Sequence, residues 1–189
     1  VCFRSPFASI RTHRPSDFCH GLLALKSGFH GDKQEAGNRA MTVPKIDIPV
    51  RYNMATHFVD RHIREGRGDK IAVICEEGTL SYAQLHESVN RVANGLGELD
   101  VPPGGRVLIL LPDCVEFAAA YLGTVKSGAV AVLTNTALRA PDYAYFLDES
   151  EASVLIVDGG LWPEVEPILE ERPKLRHVVV RGTARGRAR

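Results

Sequence analysis

Between residues 106 and 180, four short apolar runs alternate with three segments of helical pattern. Continuous apolar runs of this length are typical of strands that are buried on both faces of a parallel sheet. Strands that alternate with helices in this way need right-handed crossovers over the sheet. The sequence therefore predicts a doubly wound α/β fold with a mostly parallel sheet flanked by helices. The predicted strands are 106–111, 129–133, 153–157 and 177–180, and the predicted helices between them are 113–127, 140–149 and 162–171.

The segment before this alternation has a different pattern. Residues 54–65 fit a short amphipathic helix with Phe58, Val59 and Ile63 on one face. A compact β-type run then turns and returns, which predicts a hairpin over residues 71–80. This part of the chain therefore adds a helix and a hairpin to the parallel sheet.

Two helix starts have the residue spacing of a capping box. In a capping box the N-cap side chain accepts a hydrogen bond from the backbone N–H three residues on, and the side chain of that residue accepts from the N-cap N–H. Ser81 and Gln84 have this spacing, and the helix that they begin is predicted to end at Gly97. Asp113 and Glu116 have the same spacing and predict the start of the next helix.

Composition excludes several classes of protein. Lys plus Arg and Asp plus Glu are each 23, so the formal net charge is zero, and no basic excess points to a nucleic-acid partner. No apolar run approaches the roughly 20 residues that span a bilayer, so no membrane partner is predicted. The cysteine spacing is too irregular for a zinc site or a disulfide scaffold, which favours a reducing, cytoplasmic location. The four cysteines are Cys2, Cys19, Cys75 and Cys114.

The two ends of the chain differ from the part between them. Residues 1–44 form an irregular extension, whose first 40 residues hold six basic and three acidic side chains. We interpret it as disordered or as a translation artefact ahead of Met41; the alternative is an organelle-targeting segment. Arg181 opens a run of four arginines within nine residues, so 183–189 is predicted to be a solvated basic tail. The domain itself is predicted to cover 45–182.

Residue patterns that could act alone as a catalytic site are missing from the sequence. It contains neither a phosphate loop ending in lysine nor a glycine fingerprint that follows a strand, and its strand-to-helix turns carry no nucleophilic serine. His57 and His62 are five residues apart, which is off the same-face helical spacing of a metal pair. Acidic side chains on turns, such as Glu77, are usually solvated. We therefore predict no catalytic residue and no metal ligand.

One loop is a candidate for ligand binding. Residues 134–139 leave the carboxyl end of a predicted parallel strand, where ligands gather in open α/β sheets. Arg139 could hold a phosphate there; the alternative is an ordinary surface arginine near a helix start.

Many short stretches, in the same order, resemble the acyl-adenylate-forming superfamily. Several resemble the benzoate–CoA ligases in particular, among them Asp142-Tyr143-Ala144-Tyr145. The resemblance covers about residues 45–182. The stretches shared with the superfamily are 80–85, 90–96, 103–107, 111–113, 116–117, 123 and 126–130, and those shared with benzoate–CoA ligases are 52–53, 67–72, 135–136, 142–145 and 175–180.

The resemblance implies the N-terminal fragment of a two-step ligase. Such an enzyme uses ATP and Mg²⁺ to convert an aryl carboxylate into an acyl adenylate, which coenzyme A then attacks to form a thioester. The family's phosphate loop, adenine-binding segment, hinge and catalytic lysine lie downstream of the matching region. We therefore expect this chain to be inactive alone and to bind none of the three cofactors well.

The resemblance also implies a role for the candidate loop. In the nearest relatives the matching loop lies near the route of coenzyme A and can carry a phosphate-binding arginine. That arginine aligns with Ala137, and Arg139 lies two places further on, so Asn135 and Arg139 are the predicted cofactor-binding residues.

Two alternatives to the aryl-acid ligase remain open. The chain could be a non-catalytic α/β binding or regulatory module. It could also belong to an adenylase of another acid class, aliphatic, cinnamate-type or carrier-protein loading. On the fragment interpretation the missing remainder of the ligase is a partner. One apolar face of the sheet should then be uncovered, and the chain should associate with itself.

Overall fold

The computed structural model describes residues 48–170 and 172–183, and its helices and strands lie in the compact unit that begins at Val50. Both predicted terminal segments fall almost entirely outside the described residues. A π-helical turn, Thr56–Asp60, leads into the first α-helix. The helices are α1 Arg61–Arg64, α2 Tyr82–Glu98, α3 Val115–Lys126, α4 Ala140–Ser150 and α5 Trp162–Val165, and the strands are β1 Ile71–Cys75, β2 Gly78–Ser81, β3 Arg106–Leu110, β4 Val130–Leu133, β5 Val154–Asp158 and β6 His177–Arg181.

The last four strands form one parallel sheet in the order β4-β3-β5-β6. The chain runs from β3 outward to β4 and then returns past β3 to β5 and β6, so its winding direction reverses between β3 and β5. Strands β1 and β2 pair separately as an antiparallel hairpin. This topology confirms the predicted α/β fold and the predicted hairpin.

Each face of the sheet has its own core. On the face that we call the α4 face, α4 and α5 cover alternate residues of the strands. On the opposite face, the α2–α3 face, α2 and α3 cover the residues in between. The α4-face core includes Leu108, Leu110, Leu155, Val157, Tyr143, Leu147 and Val165, and the α2–α3-face core includes Val107, Ile109, Val154, Ile156, Leu96 and Ala120.

The capping box predicted for α2 is confirmed. Ser81 Oγ accepts from the backbone N–H of Gln84 at 3.3 Å, and the Gln84 side chain accepts from the Ser81 N–H at 2.9 Å. The box predicted for α3 is wrong. Cys114 takes the N-cap position without a side-chain hydrogen bond. The N–H of Cys114 donates to the Pro112 carbonyl at 2.8 Å. Asp113 therefore lies in the middle of a tight turn and precedes the N-cap.

Two further predictions about helices need correction. Phe58 is 52% exposed while its neighbour Val59 is 1% exposed. The wider π-helical turn shifts the angular spacing of side chains, so Phe58 leaves the buried face that an α-helix would have given it. The helix predicted over 162–171 ends at Val165 and continues only as a 3₁₀ turn, Glu166–Ile168. Pro167 lacks the N–H that an α-helix needs there.

Among the described residues, no helix combines the length and the apolar composition of a bilayer-spanning segment.

Candidate site at the carboxyl edge of the parallel sheet

The carboxyl ends of β3, β5 and β6 meet where the winding of the sheet reverses. In open α/β sheets this is the place where a crevice forms and ligands bind. Cys114 follows β3, Asp158 ends β5 and Arg181 ends β6. The sheet therefore brings a thiol, a carboxylate and a guanidinium to one edge.

Arg181 is the centre of a group that we call the Arg181 cluster. Its Nη1 donates to Asp158 Oδ2 at 2.8 Å, and its Nε donates to Glu116 Oε2 at 3.0 Å. Its Nη2 donates to Glu77 Oε2 in the turn between β1 and β2. One side chain therefore connects the hairpin, α3, β5 and β6. The prediction that Glu77 is solvated is confirmed, since its side chain is 49% exposed, but its carboxylate is also paired with Arg181.

The contacts of the cluster shift the pKa values of Arg181 and Glu116 towards their charged forms. Hydrogen bonds to Asp158 and Glu77 raise the pKa of Arg181. Burial by itself would raise the pKa of Glu116. Hydrogen bonds from its own backbone N–H and from the Cys114 thiol, together with the charge of Arg181, outweigh burial and leave that pKa below its usual value. The charged forms of Glu116 and Arg181 are therefore favoured, and three carboxylates surround one guanidinium.

Cys114 is 2% exposed, and burial raises the pKa of its thiol. A thiol in this state is protonated and is a poor nucleophile. It serves as a small buried side chain rather than as a reactive group, as expected for a free cysteine in an apolar setting.

Glu77, Cys114 and Glu116 place one potential metal-ligand atom each within 4.8 Å of one another. Their chemistry does not suit Mg²⁺, which prefers oxygen ligands in a regular octahedron. One donor is a protonated sulfur, and both carboxylates already accept from Arg181. These residues therefore do not fit the magnesium ion that the resemblance to the adenylate-forming superfamily implies.

The loop predicted to bind coenzyme A lies after the edge strand β4. Asn135 Oδ1 accepts from the N–H of Ala137 at 2.8 Å, which fixes the turn. Arg139 is 77% exposed at its side chain, and its Nη1 is 3.6 Å from Glu164 Oε1. Glu164 also accepts from the N–H of Ala140 at 3.2 Å. The loop presents one exposed guanidinium whose charge is partly matched by a neighbouring carboxylate.

Sequence reasoning placed Arg181 at the start of a basic tail and did not connect it with Glu77 or Asp158. A signal was nevertheless present. Asp158 and Arg181 each directly follow an apolar strand, and strands that are parallel neighbours bring such residues together. The contact with Glu77 spans 104 residues and has no local signal.

The fold is that of a known class. The AMP-binding enzyme family model matches residues 59–187, more than half of the chain. The chain belongs to the AMP-binding enzyme family.

Relatives with known activities agree with this membership. The chain is 39% identical over 144 residues to the benzoate–CoA ligase of Thauera aromatica, covering 76% of this chain and 27% of that protein. It is 38% identical over 138 residues to the 4-hydroxybenzoate–CoA/benzoate–CoA ligase of Rhodopseudomonas palustris, covering 72% of this chain and 26% of that protein. A crystal structure of an anthranilate–CoA ligase with anthranoyl-AMP is 36% identical, with a TM-score of 0.68, covering 71% of this chain and 26% of that one. The chain therefore spans about a quarter of the length of these relatives.

Proposed function

We propose that this chain supplies the first part of an aryl-acid–CoA ligase, an enzyme that activates benzoate-type carboxylates as acyl adenylates and transfers them to coenzyme A. The observation that carries the proposal is the 38–39% identity to two ligases that are named for benzoate. The parallel sheet and its carboxyl edge, which are the framework of such a site, support it.

The chemistry of the reaction explains why we expect no ligase activity from this chain alone, which spans about a quarter of the length of its relatives. A carboxylate is a poor electrophile until one of its oxygens becomes part of a leaving group. Attack of the carboxylate on the α-phosphorus of ATP releases pyrophosphate and makes that leaving group AMP. The coenzyme A thiol then displaces AMP. These steps need groups that stabilise phosphate charge, and the Arg181 cluster cannot provide them, because its guanidinium is already surrounded by three carboxylates.

Arg139 is the better candidate for an anion contact within the described residues. Its side chain is exposed, and its only short ion pair in the described part of the chain is the 3.6 Å contact with Glu164. A phosphate of coenzyme A could replace that contact with a charge-assisted hydrogen bond. Asn135 shapes the same loop through its bond to Ala137. We propose that this loop lies along the route of coenzyme A.

The test is a chimera in which residues 45–182 replace the matching segment of the Thauera aromatica benzoate–CoA ligase. We expect the chimera to form benzoyl-CoA from benzoate, ATP, Mg²⁺ and coenzyme A, measured by chromatography of the thioester. The 189-residue chain alone is the control, and we expect it to give no benzoate-dependent exchange of pyrophosphate into ATP.

The outcome of the chimera assay separates the open alternatives. A folded chimera that forms acetyl-CoA or cinnamoyl-CoA in preference to benzoyl-CoA would change the acid class. A folded chimera without any ligase activity would favour a non-catalytic module. In an active chimera, Arg139→Ala should raise the KM for coenzyme A by about tenfold while the KM for benzoate stays the same.

A further inference from the structure

Glu164 lies against the loop that we propose for coenzyme A. Its Oε1 is 3.6 Å from Arg139 Nη1, and its Oε2 accepts from the backbone N–H of Ala140 at 3.2 Å. One carboxylate is therefore held by a guanidinium and by a backbone N–H group at the same time. A phosphate binds to proteins through these same two kinds of donor.

The tertiary fold brings Glu164 to this place. Glu164 belongs to α5 and lies 24 residues after Ala140 in the sequence. Its neighbour Val165 is 1% exposed, and Trp162 packs against the same α4-face core. Because the core fixes the backbone of α5, the Glu164 side chain, which is 32% exposed, is kept beside the start of α4.

The backbone of the loop is held as well. Tyr143 is 1% exposed, and its hydroxyl donates to the carbonyl of Thr136 at 3.0 Å. Burial and the charge of Glu164 raise the pKa of Tyr143, so this hydroxyl keeps its proton at neutral pH. Asp142 Oδ2 accepts from the backbone N–H of Arg139 at 3.1 Å. The loop therefore keeps its shape, and the 77% exposed side chain of Arg139 is the part that can move.

The contact between Arg139 and Glu164 is weak enough to be replaced. An ion pair with one largely exposed partner typically changes an equilibrium by less than about fivefold. A phosphate carries up to two negative charges and three acceptor oxygens, whereas a carboxylate carries one charge and two oxygens. A phosphate can therefore displace Glu164 from Arg139, although it binds less tightly than it would to a free guanidinium.

We propose that Glu164 is a built-in competitor for a phosphate of coenzyme A. It holds the Arg139 guanidinium until the phosphate takes its place, and its charge lowers the affinity of the loop for coenzyme A. This role of Glu164 rests on the proposed function, because it assumes that the loop meets coenzyme A. It adds a residue outside the loop that sets how tightly coenzyme A binds.

Glu164→Gln in the chimera described above tests this role. The substitution keeps the volume of the side chain and an oxygen that can accept from the Ala140 N–H, and it removes the negative charge. Glu149→Gln is the matched control, because it removes the same charge from an exposed position near the other end of α4. About 14 Å of helix separates Glu149 from Ala140, which is beyond the screening length of about 8 Å at physiological salt.

We expect Glu164→Gln to lower the KM for coenzyme A by about threefold, with the KM values for ATP and benzoate unchanged. Glu149→Gln should change the KM for coenzyme A by less than about 1.5-fold. In the Arg139→Ala background the effect of Glu164→Gln should also fall below about 1.5-fold, because the competing contact is gone.

Three results in an active chimera would overturn the role of Glu164 while leaving the proposed function intact. The first is a KM for coenzyme A that stays the same or rises in Glu164→Gln. The second is an equal fall in the KM for ATP, which would show that the charge acts on both substrates. The third is a threefold effect that persists in the Arg139→Ala background, which would show general repulsion rather than competition for Arg139.

An inactive chimera would count against the proposed function, and binding to the 189-residue chain then decides the role of Glu164. Coenzyme A is titrated to millimolar concentrations while nuclear magnetic resonance follows the backbone N–H signals of residues 134–140. We expect weak binding that Glu164→Gln tightens by about threefold and that Glu149→Gln leaves unchanged. If these signals do not respond in the parent chain or in Glu164→Gln, coenzyme A does not meet the loop and the role of Glu164 is refuted.

Discussion

The two faces of the parallel sheet are built from alternate residues of the same strands, but their side chains differ in how far they are buried. On the α4 face, Leu108 is 0% exposed and Tyr143 is 1% exposed, because α4 and α5 cover the sheet as far as β6. On the α2–α3 face, Ile109 is 0% exposed, yet Val179 is 41% exposed and Leu133 is 47% exposed at the two edges. Val130 of β4 is 48% exposed on the α4 face, so both faces are open at β4 and they differ at β6.

The apolar run of β6 is typical of a strand that is buried on both faces, although only one of its faces is covered. Neighbouring residues of a strand point to opposite faces, so a strand with one solvated face should alternate apolar and polar residues. In β6, Val178 and Val180 pack on the α4 face, whereas Val179 lies on the α2–α3 face beside Ile156. A third consecutive valine is typical of a strand that is buried on both faces. The sequence of β6 therefore fits a sheet with more cover than the described residues provide.

The strongest test of the comparison truncates one side chain on each face. Leu108→Ala removes fully buried atoms from the α4 face and should lower the free energy of unfolding by about 2–5 kcal/mol. Val179→Ala removes atoms that already face solvent and should change it by less than about 0.5 kcal/mol. Urea unfolding followed by circular dichroism measures both. Similar losses for the two variants would show that Val179 is buried in the isolated chain.

The second test concerns the closed centre of the α2–α3 face. Gly123→Ala introduces a Cβ where α2 and α3 touch, and overpacking there should lower the free energy of unfolding by about 1–3 kcal/mol. Gly95→Ala is the matched control, because a Cβ at that position of α2 meets nothing within 4 Å. It should stabilise the protein by about 0.5–1 kcal/mol through helix propensity alone. Thermal melting of both variants checks the contrast, which would fail if Gly123→Ala were neutral.

The elements that sequence reasoning found are those with local causes. Apolar runs marked the parallel strands, and the Ser81–Gln84 spacing marked the start of α2 because both partners of that capping box lie within one turn. The start of α3 was misplaced by the same rule. A tight turn at Pro112 moved the N-cap to Cys114, a position that spacing alone does not reveal.

The candidate site was harder to predict for a physical reason. Asn135 and Arg139 share a loop because they are near in sequence, and their assignment to coenzyme A remains a prediction. The Arg181 cluster gathers groups from four separate elements, and each contact depends on the order of the strands and on where the hairpin sits. No local pattern contains that information.

A third prediction asks how much the Arg181 cluster stabilises the carboxyl edge. Arg181→Met keeps most of the side-chain volume but leaves three carboxylates without their shared partner. We expect the free energy of unfolding to fall by about 1–2 kcal/mol. The loss stays in this range because Glu77 and Glu116 are about half exposed, so that water screens their charges. Arg91→Met is the control. Its 72% exposed side chain lies 4.0 Å from Glu87, so the loss should stay below about 0.5 kcal/mol. Equal losses would show that the cluster is only a surface ion pair.

The smallest expected effect is a dependence on pH. The folded-state pKa of Glu116 lies below its usual value, so its ionised form stabilises the fold. That contribution is complete above the unfolded pKa of about 4.3 and is lost as the pH falls through the lower folded pKa. Glu116→Gln should therefore differ from the parent chain by a few tenths of a kcal/mol between pH 7 and 5, and the difference should shrink below about pH 4.3.

Repeating this comparison in the Arg181→Met background separates the cause. There the pH dependence of the Glu116→Gln effect should become weaker, because one of the interactions that lower the pKa is gone. The remaining dependence reports the hydrogen bonds from the Glu116 backbone N–H and from Cys114. Urea unfolding at several pH values measures all four proteins. An effect of Glu116→Gln that grows as the pH falls would reverse the sign of the assigned shift and would show that burial of Glu116, rather than its contacts, controls the charge at this edge of the sheet.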